Sequence, residues 1–420
     1  MSMKRQLKRY LDNRAVLSPW RLDGDREGDI EAAVVVPALA ESAGLPATLQ
    51  SVAENDPEML CRTLVVIVVN NRADASGEVR RDNEIVLDWL ASHPFPPLRL
   101  AWVNAAATGL ELPAGQGVGL ARKIGFDAAL QHLDWNKDPL LISLDADTLV
   151  DPNYLAAVFR HFASASTAGA VIPFRHQQGA DLLQEEAIRR YELFLRSYQF
   201  GLKQAGSLYA YHSIGSAFAC RAQGYIEAGG MNRRLAGEDF YFLQQLSKVG
   251  GVSLVDGTQV HPAARSSTRV PFGTGRIVEQ HQQGVRPGYQ FVDKRAFSLL
   301  QCWLRLIEED SAATPATLLG RARRLSMELA EFVEGRNFAL IWDRLQNNHR
   351  CEMQRIRAFH HWFDALRTRQ LLTRLSATTC DPVPLVEELL DWGGYPGCRD
   401  TCSQLALLER VQGARAENSR

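Results

Sequence analysis

Short apolar runs alternate with helix-like stretches over the first 150 residues of the chain. The predicted strands cover residues 32–36, 64–69, 98–103 and 140–144, and the predicted helices cover residues 45–53, 83–91 and 119–130. Strands separated by helices of this length are typical of βαβ units with right-handed crossovers. Such units form a mostly parallel sheet with helices on its faces. The predicted fold class is therefore α/β.

The pattern becomes helical towards the end of the chain. After a helix over 151–162, it predicts a strand over 168–173, a long helix over 179–204 and a late strand over 252–255. Beyond about residue 290 only helices are predicted, as over 318–333 and 384–392. Asp381 is a candidate cap of the last of these, and Gly393-Gly394 is its candidate end. We expect a basic N-terminal extension over 1–29, an α/β domain over 30–285, a helical domain over 286–412 and a disordered tail over 413–420.

Composition narrows the class of protein. The chain has 420 residues, of which 46% are hydrophobic and 23% charged, as in a globular protein of two domains or of one large domain with an appendage. Its formal net charge of -1 gives no overall basic field, so no nucleic-acid partner is expected. No apolar run approaches the ~20 residues that span a bilayer, so no transmembrane segment is expected.

The N-terminus and the cysteines bear on the compartment. The basic residues near the N-terminus are Lys4, Arg5, Lys8, Arg9 and Arg14. They lack the apolar core of a secretory signal, and both a solvated helix and a basic helix resting on a membrane surface fit them. Seven scattered cysteines indicate a reducing compartment, and Cys398 and Cys402 lack a fourth zinc ligand at standard spacing. We expect a cytoplasmic protein, with peripheral contact at the inner face of the membrane as an alternative.

The main candidate for chemistry is the segment that follows the fourth predicted strand. There, Asp145 and Asp147 are separated by one residue, and in an extended chain such side chains share one face. Two carboxylates at the carboxyl end of a buried strand suit Mg²⁺ or Mn²⁺, which usually also binds substrate phosphates. The alternative is an ordinary turn or helix cap before Asp151-Pro152.

Three further features follow in order. Small residues in 212–218 let a backbone approach a bound group closely, although a bend at a strand end is an alternative. Glu238 and Asp239 begin a helical segment, where a general base and simple helix-dipole preference are both reasonable interpretations. His261 follows a strand and turn and is a candidate metal ligand or an ordinary histidine.

Taken together, these motifs resemble the family-2 glycosyltransferases with the GT-A fold. The matching segments are Pro37 to Glu41, the helix motif of residues 117–125, Asp145-Ala146-Asp147, Gly215, Gly230, Glu238-Asp239 and His261. The resemblance covers residues 30 to 275. It implies a metal-dependent enzyme that moves a sugar from a UDP- or GDP-linked donor to an acceptor hydroxyl, with a lipid or a saccharide as candidate acceptor.

The resemblance also implies roles for individual residues. Asp147 and His261 hold the Mn²⁺ or Mg²⁺, and Asp145 touches either the ion or the ribose. Asp239 is the base of an inverting transfer, and Glu238 orients the acceptor or supports the site. The residues expected to bind substrate are Pro37, Glu41, Asn71, Arg122, Asp145, Gly215 and Arg269. Arg122 and Lys123 are candidates for a contact with the diphosphate, and the alternative is that they lie on a solvated helix face. Residues 265–275 are a candidate loop over the donor phosphates, and the alternative is a plain surface loop.

Two departures from the family pattern affect specificity. Asn70 and Asn71 stand where the family usually has aspartates that contact the base, and an amide both donates and accepts hydrogen bonds, so the choice between uracil and guanine stays open. The Gln-x-x-Arg-Trp motif of processive synthases is absent, which favours single transfers. The alternatives are a retaining GT-A transferase, a nucleotidyltransferase and an inactive nucleotide-sugar-binding protein.

Overall fold

The computed structural model describes residues 3–25, 27–265, 274–283, 285, 288–376 and 381–413. These residues divide into two compact units. The first unit contains the described residues of 1–188 and 213–285, together with residue 413, and the second contains the described residues of 189–212 and 286–412.

The first unit is an α/β structure. Its strands are β1 Leu22–Gly24, β2 Ala32–Ala38, β3 Thr63–Asn70, β4 Arg99–Ala105, β5 Leu140–Ser143, β6 Leu149–Val150, β7 Gly169–Val171, β8 Phe218–Arg221, β9 Val252–Leu254 and β10 Val260–His261. Its helices are α1 Met3–Asn13, α2 Leu45–Ala53, α3 Pro57–Cys61, α4 Gly77–Ser92, α5 Val118–Ala129, α6 Tyr154–Ser164, the start of α7 Leu182–Gln204, α8 Ala222–Glu227, α9 Glu238–Gly250 and α10 Thr274–Gln282.

Within the described residues, eight strands form one sheet in the order β1-β4-β3-β2-β5-β8-β7-β9. The neighbours from β4 to β5 are parallel, as are β7 and β9, whereas β1 and β8 pair with their neighbours in antiparallel fashion. Every residue of β2 and β3 is buried, as expected for continuous apolar strands that are covered on both faces. The predicted α/β class with a mostly parallel sheet is confirmed.

The second unit is helical. It contains the rest of α7, followed by α11 Lys294–Glu309, α12 Pro315–Leu325, α13 Met327–Glu334, α14 Phe338–Asn348, α15 Glu352–Trp362, α16 Ala365–Leu375, α17 Pro382–Trp392 and α18 Thr401–Val411. Its core holds Trp303, Phe338, Trp342 and Phe359, each with none of its surface exposed. Asp381 caps α17 by accepting a hydrogen bond from the Val383 amide at 3.0 Å, as predicted.

The helical pattern over 318–333 is confirmed, and the structure divides it into two helices. The chain breaks at Ser326, which ends α12 and begins α13. Its hydroxyl accepts a hydrogen bond from the Leu329 amide at 3.3 Å. Serine satisfies the first amides of a new helix well, and here that local bond replaces continuation of the preceding helix.

None of the helices in the described part of the chain combines the length and the apolar character that crossing a membrane requires.

Candidate functional site

The candidate site begins at the carboxyl ends of β2 and β5. These strands are parallel neighbours, with Val35 opposite Ser143, so the segments that follow them leave the sheet at the same edge. Asp145 and Asp147 lie in a turn, in which the Thr148 amide donates to the Asp145 carbonyl at 3.1 Å. The extended geometry expected from the sequence is therefore wrong. The turn directs the two carboxylates to different partners.

Asp145 pairs with Arg122, the central cation of the cluster. The Arg122 side chain is 2% exposed and forms ion pairs with Asp145 through Nη2 and with Glu238 through Nη1. Its Nε donates to the Ser143 hydroxyl at 3.0 Å, and that hydroxyl donates to the Gly215 carbonyl at 2.7 Å. Arg122 thus joins segments that are more than ninety residues apart in the chain.

Gly215 is required by the position of Arg122. A Cβ at residue 215 would lie 2.8 Å from the Arg122 Cζ, closer than van der Waals contact allows. The sequence indicated that a small residue here admits a close neighbour, and within this structure that neighbour is the guanidinium of Arg122. The solvated helix face considered for Arg122 is excluded by its burial.

Glu238 and Asp239 begin α9, directly after Gly237 with φ 69°. Burial raises the pKa of Glu238 to about 7, with Arg122 opposing that rise and Asp239 adding to it. Burial also raises the pKa of Asp239, again opposed by Arg122. Asp145 shows the same pattern, with burial raising its pKa, Arg122 lowering it and Asp147 raising it. The three carboxyls therefore form one electrostatic cluster around a buried guanidinium.

Asp147 pairs with a second arginine, Arg265. Its Oδ2 accepts hydrogen bonds from Arg265 Nε at 3.0 Å and Nη2 at 2.7 Å, and Nη2 also forms an ion pair with Glu41. The Glu41 side chain is 8% exposed. Burial lowers the pKa of Arg265, but Asp147 and Glu41 raise it by more. The guanidinium is therefore held between two carboxylates.

The backbone of His261 lies near the backbone of Asp147, although the two residues are far apart in the sequence. Strand β10 pairs with β6, with His261 opposite Leu149, and Gln177 Nε2 donates to the carbonyls of both Asp147 and His261, at 2.9 and 2.8 Å. The His261 ring, however, turns to Asp151, with 2.9 Å between Nε2 and Oδ1.

The three predicted metal ligands do not form a ready ligand set. In the described residues no three His, Cys, Asp or Glu side chains are grouped closely enough to hold one ion. Asp145, Asp147 and His261 instead pair with Arg122, Arg265 and Asp151, because each has a nearer partner.

The remaining predicted residues of this edge lie in or after β2 and β3. Pro37 is inside β2, opposite Val68. Asn71 is 1% exposed; its Nδ2 donates to the Arg72 carbonyl at 3.1 Å, and its Oδ1 accepts from Asn83 at 2.8 Å. Asn83 also accepts from the Ala40 amide at 3.0 Å. The Asn71 side chain therefore takes part in a network that holds together the segments after β2 and β3.

Lys123 lies next to Arg122 but belongs to a separate buried network. It forms an ion pair with Asp127 at 2.9 Å and donates to the Tyr10 hydroxyl at 2.8 Å. Burial lowers the pKa of Lys123, with Asp127 opposing the change. A Cβ at Gly230 would lie 2.9 Å from Lys123 Nζ. Both the diphosphate contact and the solvated face considered for Lys123 are therefore inconsistent with its 3% exposure.

Arg269, predicted to bind the donor, lies outside the described residues.

Sequence reasoning missed the contacts of four residues at this site. They are Ser143, Gln177, Asn83 and Arg265 in its pairing with Glu41 and Asp147. Ser143 was detectable, because it interrupts an otherwise apolar run on a buried strand. The other three carry no comparable signal, since each acts through partners that are distant in the chain.

The fold and the site define an α/β protein with carboxylates and arginines gathered at the carboxyl edge of a mostly parallel sheet. No protein-family model matches the chain, and no curated protein matches it either. Among solved structures, it is similar to Staphylococcus aureus TarS 1–349 in complex with UDP-GlcNAc, with 11% identity over 93% of each chain and a TM-score of 0.38.

Two further structures are similar at the same level. The mannosyltransferase PcManGT from Pyrobaculum calidifontis, in complex with GDP-Man and Mn²⁺, is 15% identical over 86% of this chain and 93% of its own, with a TM-score of 0.37. Glucosyl-3-phosphoglycerate synthase from Mycobacterium tuberculosis is 13% identical over 68% and 85%, with a TM-score of 0.33. At such scores the likeness decides no residue's role.

Proposed function

We propose that the chain is a glycosyltransferase that transfers a sugar from a UDP- or GDP-linked donor to an acceptor hydroxyl, with inversion and one sugar at a time. The observation that supports this best is the cluster around Arg122. It joins Asp145, from the aspartate pair after β5, to Glu238, from the acidic pair that begins α9. A leaving-group side and a proton-accepting side at one sheet edge are what such a transfer needs.

Asp239 is the proposed general base. A base works best when its pKa approaches the working pH, because it then combines ionisation with proton affinity. Burial moves the pKa of Asp239 upward, and Arg122 opposes the rise. Its Oδ1 accepts a hydrogen bond from the Phe240 amide at 2.7 Å, which orients the carboxylate.

Glu238 is the proposed partner that supports the acceptor side. With a pKa raised to about 7, it exchanges its proton near neutral pH and can donate or accept a hydrogen bond. Arg122, whose Nη1 and Nη2 each pair with a protein carboxylate, is proposed as a positioning residue in place of the diphosphate contact considered from the sequence.

The side-chain oxygens at this sheet edge suit a divalent cation as ligands. Carboxylate oxygens suit Mg²⁺ and Mn²⁺, which usually take few protein ligands together with substrate phosphates and water. The Arg265 guanidinium between Asp147 and Glu41 indicates that the edge accommodates a positive charge. Asp145 and Asp147 would hold the ion, and His261 would have to leave Asp151 to join them. The ion would stabilise the charge of the leaving diphosphate.

The Asp239→Asn variant tests the base. The amide cannot take the proton, so we expect kcat to fall by about 10²–10⁴-fold, measured as transfer from a UDP- or GDP-sugar in the presence of Mn²⁺. Asp88→Asn, a change at an exposed position on α4, is the matched control and should keep the full rate.

A thermal-shift assay separates chemistry from binding, because a ligand that binds only the folded protein raises its melting temperature. The donor should stabilise Asp239→Asn as much as the wild type. A near-full transfer rate in Asp239→Asn would refute the role of the base. Donor binding by the wild type without turnover would indicate an inactive binding protein, and NMR of the product's anomeric configuration distinguishes inversion from retention.

A further inference from the structure

We infer that Arg265 competes with the divalent cation for Asp147, so that binding of the ion requires the guanidinium to leave. This inference rests on the proposed function, because it concerns the cation of that same site. It adds a residue that determines cation affinity and that the sequence motifs do not identify in this role.

The geometry supports direct competition. Two nitrogens of Arg265 donate to a single oxygen of Asp147, Oδ2, at 3.0 and 2.7 Å. A carboxylate that receives two charge-assisted hydrogen bonds has lost much of its capacity to coordinate a metal through that oxygen. An ion that binds Asp147 Oδ2 at a bond length of about 2.1 Å would also stand within a few ångströms of the Arg265 charge.

Glu41 holds Arg265 in this position. It is 8% exposed and pairs with the same Nη2 that contacts Asp147. Taking the Arg265 charge away from a buried carboxylate costs free energy, so Glu41 favours the state in which Arg265 stays. The Arg265 side chain is itself 38% exposed, so it can move into solvent without unfolding its surroundings. When it moves, the cation can take over the neutralisation of both acids.

The displacement proposed for Arg265 does not extend to Arg122, the arginine that pairs with Asp145. Its partner Arg122 is 2% exposed and bound on three sides by Ser143, Asp145 and Glu238, so it cannot move away at comparable cost. The two arginines therefore differ in kind: Arg122 is a fixed part of the cluster, whereas Arg265 is an exchangeable one.

Binding of MnCl₂ alone to the full chain tests the inference, without donor or acceptor. Titration followed by the electron paramagnetic resonance signal of free Mn²⁺ gives the dissociation constant directly. We expect Arg265→Gln to bind Mn²⁺ about ten-fold more tightly than the wild type, because a hydrogen bond to a charged group is typically worth at least that factor in an equilibrium constant. Arg265→Lys, which keeps the charge, should stay near the wild type.

Two controls define the site. Arg374→Gln removes an arginine of similar exposure that pairs with Glu331 in the helical unit and should leave Mn²⁺ affinity unchanged. Asp147→Asn in the Arg265→Gln background should abolish the gain. Thermal melting of each variant shows whether it is folded.

Equal or weaker Mn²⁺ binding by folded Arg265→Gln would overturn the inference, as would a gain that survives Asp147→Asn. An absence of Mn²⁺ binding in every variant would overturn it too. If sugar transfer is nevertheless observed, the proposed function stands and only the competition fails. If no nucleotide sugar binds and no transfer occurs, the proposed function itself fails.

Discussion

At the scale of single residues, the cluster around Arg122 shows how burial and charge oppose each other. Burial raises the pKa of Glu238, Asp239 and Asp145, and the single guanidinium lowers each only in part. The result is a group of acids that hold their protons more tightly than they would in water. Such shifts are typical of functional sites.

Glu238 should make the protein less stable as the pH rises. Its folded-state pKa of about 7 lies above the usual glutamate value of 4.5, so between these values the folded state binds a proton that the unfolded state has released. The free energy of unfolding therefore falls with increasing pH across this window. Glu238→Gln should show a smaller fall between pH 5 and pH 8, measured by urea unfolding at several pH values.

Glu58→Gln is the matched control, because Glu58 is 74% exposed and has no part in the cluster. It should reproduce the wild-type pH dependence. An unchanged slope in Glu238→Gln would mean that Glu238 titrates in the folded state as it does in water.

The sequence identified the acidic members of the site because each has a local signal. Asp145 and Asp147 end an apolar run, and Glu238 and Asp239 begin a helix. Gln177 has no such signal, and the sequence placed Arg265 only in a candidate loop over the donor phosphates. The contacts of both residues are with positions thirty to more than two hundred residues away. The spacing of the aspartate pair also gave a wrong expectation of its geometry. The sequence predicted an extended chain there, and the structure has a turn at Ala146.

At the scale of elements, long apolar or periodic segments were predictable and short ones were not. The strands β2, β3, β4 and β5 agree with the predicted runs to within two residues. Strands β6 and β10 contain two residues each, too few for any alternation of side chains to appear. They exist because they pair with each other, which is a tertiary property.

Helix α1 shows how an element that looks peripheral in the sequence becomes part of the unit. Its basic residues Lys4, Arg5, Lys8 and Arg9 are exposed, as a solvated helix would require. Tyr10, however, is 4% exposed and donates to Asp127 at 2.8 Å. Asp127 accepts two further hydrogen bonds, from the Val16 amide at 2.8 Å and the Tyr225 hydroxyl at 2.9 Å.

Asp127→Asn should therefore be strongly destabilising. The change leaves the buried Lys123 ammonium without its counter-charge, and breaking a buried ion pair typically costs about 3–5 kcal/mol. Equilibrium urea unfolding followed by circular dichroism measures the loss. Asp74→Asn, which removes the exposed pair of Asp74 with Arg72, should cost less than about 1 kcal/mol. Equal effects of the two changes would contradict this account of α1 and α5.

At the scale of the whole molecule, the chain combines an α/β unit with a helical unit, and the sequence indicated both kinds of structure from periodicity. Residues 189–212 belong to the helical unit, whereas the sequence-based division places them in the α/β domain. The reason is physical, because α7 is one uninterrupted helix across Ile188 and Arg189. No change of the local sequence pattern therefore marks the boundary between the two units.

The core of the helical unit offers a test with two similar residues. Trp342 Nε1 donates to the Ala313 carbonyl at 3.0 Å, whereas Trp303 Nε1 is buried without a hydrogen-bond partner in the described structure. Replacing either residue by Phe removes the same volume. Trp342→Phe should be more destabilising than Trp303→Phe by about 1–3 kcal/mol, because only the first change breaks a hydrogen bond and only the second removes an unsatisfied donor.

Thermal or urea unfolding of the two variants measures the difference. A larger loss of stability in Trp303→Phe than in Trp342→Phe would contradict the hydrogen-bonding pattern described for these two indoles.

The contact between Gly215 and Arg122 also limits how this sequence can change over time. Because a Cβ at residue 215 would lie 2.8 Å from the Arg122 Cζ, any larger residue at 215 is expected to be harmful while the arginine remains and to become tolerable once a shorter residue occupies 122. Effects at the two positions are then non-additive. Whichever position changes first decides whether the other is still free to change, so the order of substitutions, and not only their sum, determines which descendants of this chain can fold.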